Sequence, residues 1–307
     1  MTTSPGPHFL TPHGALPAMA IELAHPTVTR VNAVVLDKAA QTVTEMGIYA
    51  TDRDLAKKID NDVPGYGRAL LAQQQFLAKA VKDAAGKKIT QFVFLRAPLP
   101  LGPDETTPHT LATAHVASPS TVMVSREEIP AAHLRNALMT RRHLHGDTTQ
   151  AAAVAAAVHD VHRPLHDLHE PQGWSLDLGE PVSLTMIGDP SHWPGDMTAL
   201  IRAYHRELAV GSVVAVSALG PAPAGTQEAS ALEHLARYLR KTTEPQLTLR
   251  DPAEIQSWFD NDHWNLEYPG VAPASHWAEQ PAGVQSPEEF AGAELPVWCA
   301  IVTKVAA

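Results

Sequence analysis

Residues Pro181–Ser217 read PVSLTMIGDPSHWPGDMTALIRAYHRELAVGSVVAVS, and this stretch decides the fold. Val182–Ile187 is a short apolar run bounded by turn residues, the signature of a strand. Beyond Gly188, Pro190, Pro194 and Gly195 the period changes to 3.6. Met197, Leu200, Ile201, Tyr204 and Leu208 then fall on one stripe, started by Asp196 and stopped by Gly211. Val213–Ser217 is a strand again. Strand alternating with helix is the sequence mark of a parallel α/β sheet.

The same alternation continues outward. Gln91–Leu95 and Thr121–Val124 are strand-like upstream, and Val297–Val302 is strand-like downstream. Leu70, Leu77 and Val81 make a helical stripe directly before Gln91. Asp251-Pro252-Ala253-Glu254 has the form of a capping box with proline at the first helical position, opening Ile255–Phe259. Residues Trp264–Glu294 are rich in Pro, Gly and aromatic residues, and a last strand follows without a further helix. That pattern predicts an antiparallel hairpin closing a mostly parallel sheet. The expectation is α/β: seven strands, helices on both faces, and one domain over 21–307 behind a disordered tail at 1–20.

Composition narrows the function. The chain has 307 residues, of which 44% are apolar and 18% charged, enough for one large core. No run approaches the roughly 18 apolar residues of a membrane span. The first residues lack the basic-then-apolar order of a secretory signal, so the chain reads as cytoplasmic. A formal charge of −10 argues against nucleic acid, which needs clustered Lys and Arg. A small-molecule ligand is the default partner, with a protein partner or homodimer left open. Cys299 is the sole cysteine, which excludes a disulfide framework; in its apolar run it reads as a buried, inert thiol. His159, His162, His166 and His169 could gather on a helical face, but Pro164 interrupts it. A pH-responsive loop is expected there, and no metal.

From about His25 to Lys304, a series of short motifs carries a family resemblance. They are Val28-Thr29-Arg30-Val31, Gln91-Phe92-Val93-Phe94-Leu95, Leu99-Pro100, His159-Asp160-Val161-His162-Arg163-Pro164 and Pro181-Val182-Ser183-Leu184. Ser191-His192-Trp193, Gly211-Ser212-Val213-Val214-Ala215-Val216-Ser217 and Pro269-Gly270-Val271 with His276-Trp277 complete the order. In this order the chain resembles the SAM-dependent methyltransferases once described only as a domain of unknown function, which open on Leu-Gly-Gly-Lys-Asp-Asn. The resemblance implies a Rossmann-like class I methyltransferase fold and S-adenosylmethionine (SAM) as cofactor, over a glycine turn after the first strand.

At the positions the resemblance assigns to SAM, the residues differ. The family's Asp-Ile-Gly-Ser-Gly reads Phe94-Leu95-Arg96-Ala97-Pro98 here. The acid closing the second strand reads Ser125, with Glu127 two residues on. The opening corresponds to Asp37-Lys38-Ala39-Ala40-Gln41, and an Asn-Arg pair to Gln73-Gln74. Only Asp160, the expected partner of the adenine amino group, is retained. Each lost charged hydrogen bond costs about 1.5–3 kcal/mol, so three weaken binding by roughly three to six orders of magnitude.

The expected cofactor-side residues are therefore Asp160, Glu127, Ser125 and Arg96. Arg96 and Glu127 are expected either to bridge one another across the site or to hold a new ligand. His192, past the fourth strand, is the candidate general base or substrate hydrogen-bond partner. His109, Trp193 and Trp277, together with Trp264, are candidates for the pocket and its roof. Three functions follow: a pocket repurposed for small-molecule binding or cofactor-free tailoring, a non-catalytic partner, or an active O- or N-methyltransferase with a drifted site. Loss of the cofactor motifs ranks the first two together ahead of the third.

Overall fold

The structure is a computed structural model, which describes residues 25–40, 48–100, 107–145, 153–157, 165, 176–244, 246–260, 263–277 and 295–306. The tail at 1–20, Asp160 and the histidines from His159 to His169 lie outside these residues. Three helices precede the sheet: α1 (Val28–Ala40), α2 (Ala50–Asp62) and α3 (Tyr66–Gly86). Then come β1 (Gln91–Leu95), α4 (Pro108–Thr113), β2 (Ser120–Ser125), α5 (Glu128–His145), β3 (Ala153–Ala157) and β4 (Val182–Ile187). A 3-10 turn at Asp189–His192 leads to α6 (Met197–Glu207), β5 (Val213–Leu219), α7 (Gln227–Leu239) and α8 (Pro252–Ser257). The chain closes with β6 (Trp264–Leu266), β7 (Ala272–Pro273), α9 (Ala274–Trp277) and β8 (Val297–Lys304).

The strands lie in the order β3-β2-β1-β4-β5-β8-β6. β1 to β5 are mutually parallel, and β8 runs antiparallel to both β5 and β6. The seven strands expected from the sequence make this path, and the two-residue β7 adds an eighth against β8. The predicted terminal hairpin is thus a strand inserted between β5 and β6, with antiparallel partners on both sides.

Two apolar layers sandwich the sheet, because side chains alternate across each strand. Phe92, Phe94, Val213, Ala215, Cys299 and Ile301 face one layer, which α1, α2, α3 and α7 cover. Val93, Leu95, Leu184, Met186, Val214, Val216 and Ala300 face the other, covered by α6 and the α8 segment. Strands apolar on both sides are what a doubly covered parallel sheet needs. On α6 the buried residues are Met197, Leu200, Ile201 and Tyr204, and Asp196 caps it by accepting from Ala199 N at 3.1 Å.

One local reading is corrected. Asp251 caps α8 by accepting from Ala253 N at 2.8 Å, but the box does not close. Glu254 is drawn away by Arg250, whose Nη1 donates to its Oε1 at 2.6 Å, so the charged pair displaces the backbone contact. Among the described residues no helix is long and apolar enough to cross a membrane, and no group of three or more His, Cys, Asp or Glu could hold a metal ion.

Candidate functional site

Parallel strands end together, so the turns after β1, β2 and β4 meet at one edge, where open α/β sheets place their ligands. The chain leaves β1 through Arg96, in left-handed backbone at φ 55°. Ala97 N then donates to Val124 O at 2.8 Å and ties the turn to β2. The turn therefore keeps a conformation for which glycine is the default, while carrying an arginine side chain. That side chain is 8% exposed. Its Nη2 donates to Glu244 Oε2, and its Nη1 lies 3.7 Å from Asp189 Oδ1. Arg126 Nε lies 3.5 Å from the other Glu244 oxygen. Burial pushes the Arg96 pKa down, and the Asp189 carboxylate opposes that shift.

At the end of β2, Ser125 is buried and its Oγ accepts from Glu127 N at 3.2 Å. Glu127 Oε2 accepts from Arg30 Nη1 at 3.1 Å. Arg30 also donates through Nε to Asp52 Oδ2 at 2.9 Å and through Nη2 to His25 O at 2.8 Å. Burial raises the Glu127 pKa, against the pull of a Thr27 hydrogen bond and the Arg30 charge. The direct Arg96–Glu127 bridge is thus not formed. Asp52 is fully buried and requires a cation, Arg30 serves it and Glu127 together, and Arg96 turns to Glu244.

His192 ends the 3-10 turn that β4 enters through Gly188 at φ 71°. It is 7% exposed, and burial, followed by the Arg96 charge, lowers its pKa to about 3. The Asp189 carboxylate and the Gln246 backbone oppose that shift. Nδ1 has no hydrogen-bond partner.

A cavity of about 80 Å³ opens between α1, α3 and the turns after β1 and β4. Its polar lining includes Asn32, Tyr66, Gln73, Arg96 and His192, and Tyr66 Oη donates to Asn32 Oδ1 at 2.8 Å. Leu36, Leu70, Leu99, Ile187 and Leu219 supply much of its apolar wall. Of the residues singled out in the sequence, the structure brings Arg96 and His192 to this cavity. Ser125 and Glu127 are at the same sheet edge without lining it.

The other candidates are placed elsewhere. His109, on α4, is fully buried, its Nδ1 2.8 Å from Thr121 Oγ1 on β2. Trp277 packs edge-on against Phe76 at 5.5 Å and donates from Nε1 to Cys299 O at 3.2 Å. Trp193 O accepts from Arg250 Nη2 at 2.6 Å, and Trp264 packs against His205 and Phe259. None of these tryptophans roofs the cavity. Each adds apolar area to the layers around the sheet, which is where a large indole stabilises most. Asp52, Asp189 and Glu244 escaped the sequence reading, and Arg30 entered it only within a motif, with no role at the site. Glu244 is 148 residues from Arg96, and no local pattern marks it.

The molecule as a whole is similar to known proteins. A candidate methyltransferase of Thermobifida fusca YX superposes with a TM-score of 0.74 at 23% identity, over 95% of this chain and 100% of that one. A DUF574-family protein of Streptomyces avermitilis MA-4680 superposes with a TM-score of 0.70 at 20% identity, over 91% and 98% respectively. At such identities the likeness speaks for the fold. No curated protein matches the sequence significantly. The family model described as S-adenosyl methyltransferase matches residues 17–304, nearly the whole chain, and the chain belongs to that family.

Proposed function

We propose that this protein uses the methyltransferase fold as a small-molecule binding site that no longer takes SAM in the family's manner. The observation that carries the reading is Arg96, whose buried guanidinium sits on the β1 turn and is held by Glu244 and Asp189. SAM bound over this turn needs bare backbone after β1 and a free carboxylate after β2. Here Arg96 and Pro98 stand on the turn, Ser125 closes β2, and Glu127 is engaged by Arg30. The cavity of about 80 Å³ is also well below the roughly 300–1,000 Å³ of most ligand pockets. These residues do not fit the cofactor bound that way. With a pKa of about 3, His192 is a poor general base near neutral pH but a sound hydrogen-bond acceptor, which favours binding over proton abstraction.

The experiment is a calorimetric titration with SAM, using S-adenosylhomocysteine as the control. Wild type is expected to show no binding at millimolar ligand. Arg96→Gly, Pro98→Gly, Ser125→Asp and Glu244→Gln together are expected to recover measurable affinity. Glu244 is neutralised in that variant so that removing Arg96 does not leave its buried carboxylate to Arg126 alone. Phe94 is left alone because it lies in the core, where an aspartate would be a buried charge. A second reading, an active O- or N-methyltransferase, draws support from the left-handed backbone retained at Arg96. Were the arginine to swing outward, that backbone would already suit a ligand. Micromolar SAM binding by wild type would put this second reading first.

A further inference from the structure

Glu244 stands after α7, and its two carboxylate oxygens are held by two different arginines. Arg96, from the turn after β1, donates through Nη2 to Oε2. Arg126, from the turn after β2, brings its Nε to 3.5 Å from Oε1. Two guanidinium groups gathered on one carboxylate repel one another, so the pair needs an anion between them. The requirement is for the charge, and an external carboxylate meets it as well as the chain's own.

Of the carboxylates at this sheet edge, Glu244 is the one placed to leave. Asp52 and Asp189 are 0% exposed, and Glu127 shares Arg30 with Asp52. Arg126, by contrast, is 27% exposed, so the outer arm of the Glu244 site reaches solvent. An entering anion meets Arg126 first. Exchange of one carboxylate for another leaves neither guanidinium unpaired, and the Glu244 side chain regains hydration as it turns outward. With Glu244 out, Arg96, Arg126 and Asp189 together carry one net positive charge. A monocarboxylate neutralises it, a phosphate dianion overshoots, and an ammonium is repelled. We propose that Arg96 and Arg126 form an exchangeable carboxylate site, which Glu244 fills in the free protein and a small organic acid takes over. This rests on the small-molecule reading given above and names its ligand class. Arg96 also lines the cavity, so one side chain serves both the site and the cavity wall.

The test is an NMR titration of the full chain, following the Arg96 and Arg126 Nε–H signals and the Glu244 amide. The probes are propanoate, propanamide, inorganic phosphate, and sodium chloride at matched ionic strength. In wild type, propanoate is expected to move all three signals at concentrations on the order of tens of millimolar, because a tethered competitor acts at an effective concentration of millimolar or above. Propanamide and chloride are expected to leave the signals in place, and phosphate to bind more weakly than propanoate. Glu244→Ala removes the internal competitor and is expected to tighten propanoate at least about tenfold; Arg126→Gln in the same chain is expected to cancel that gain. Silence toward propanoate, an equal response to chloride or propanamide, or tighter binding of phosphate overturns the proposal, and each is read on wild type alone. A folded Glu244→Ala that binds propanoate no more tightly overturns it too. A SAM titration runs beside these. Micromolar SAM binding by wild type defeats the small-molecule reading whatever propanoate does, whereas silence toward both ligands defeats only the carboxylate site.

Discussion

Arg96 sets two opposing effects against each other. Left-handed backbone costs a side-chain-bearing residue about 1–2 kcal/mol, which glycine would avoid. Removing the guanidinium, however, takes the charged partner from Glu244 Oε2 and a nearby cation from the fully buried Asp189, and breaking a buried pair costs about 3–5 kcal/mol. The second effect is larger. Arg96→Gly is expected to lower stability by about 1–4 kcal/mol in urea unfolding, with Glu244→Gln in the same chain restoring part of it. A stabilised single variant would mean that the ion pair contributes less than the backbone strain. His192 makes a second prediction at this scale. Its folded pKa of about 3 lies below its ordinary 6.5, so between these values the unfolded chain binds the proton and the folded one does not. The sign follows: this contribution is fully present above pH 6.5 and falls as pH drops toward 3, by up to about 1.4 kcal/mol per pH unit. His192→Gln is expected to flatten that part of the stability profile, measured by denaturant midpoints from pH 7 to 4.5. An unchanged slope would place His192 in contact with water.

At the scale of elements, α6 shows how much a single boundary residue decides. Asp196 supplies the cap that Ala199 N uses, and four apolar residues on its buried face do the packing. Asp196→Ala is expected to lower stability by about 1 kcal/mol, read as a shift in urea midpoint with an unchanged slope. The end of β5 is less forgiving. A Cβ on Gly220 would stand 2.3 Å from Trp298 Nε1, while Gly220 N is pinned to Pro296 O at 2.8 Å. Gly220→Ala is expected to cost about 1–3 kcal/mol from overpacking. A neutral result in thermal melts would show that the indole has room to rotate away.

For the whole molecule, β8 is the strand on which the sheet closes, and Cys299 sits within it at 0% exposure. Burial pushes its thiol pKa well above the ordinary value, so both access and the missing thiolate slow its chemistry. Reaction with a thiol reagent requires β8 to separate from its neighbours, an opening close to global unfolding. Labelling of native protein is expected to be at least about a thousandfold slower than in denaturant. Rapid native labelling would mean that β8 opens independently of the rest of the core.

The sequence by itself determined the elements whose cause is local. β1, β2, β4, β5, β8 and α6 could be read because apolar period, caps and turn residues act within a few positions. β3 could not, since Ala153–Ala157 has one β-branched residue and is a strand through its register with β2. The altered cofactor positions, Arg96 and Ser125 among them, were also legible, because each is one residue compared with one motif. What surrounds them was decided by the tertiary structure. Arg30 reaches Glu127 across 97 residues, Arg96 reaches Glu244 across 148, and Arg96 and His192 line one cavity. Charge pairing and cavity shape depend on where the sheet brings distant turns together, and no short-range pattern in a chain encodes that distance.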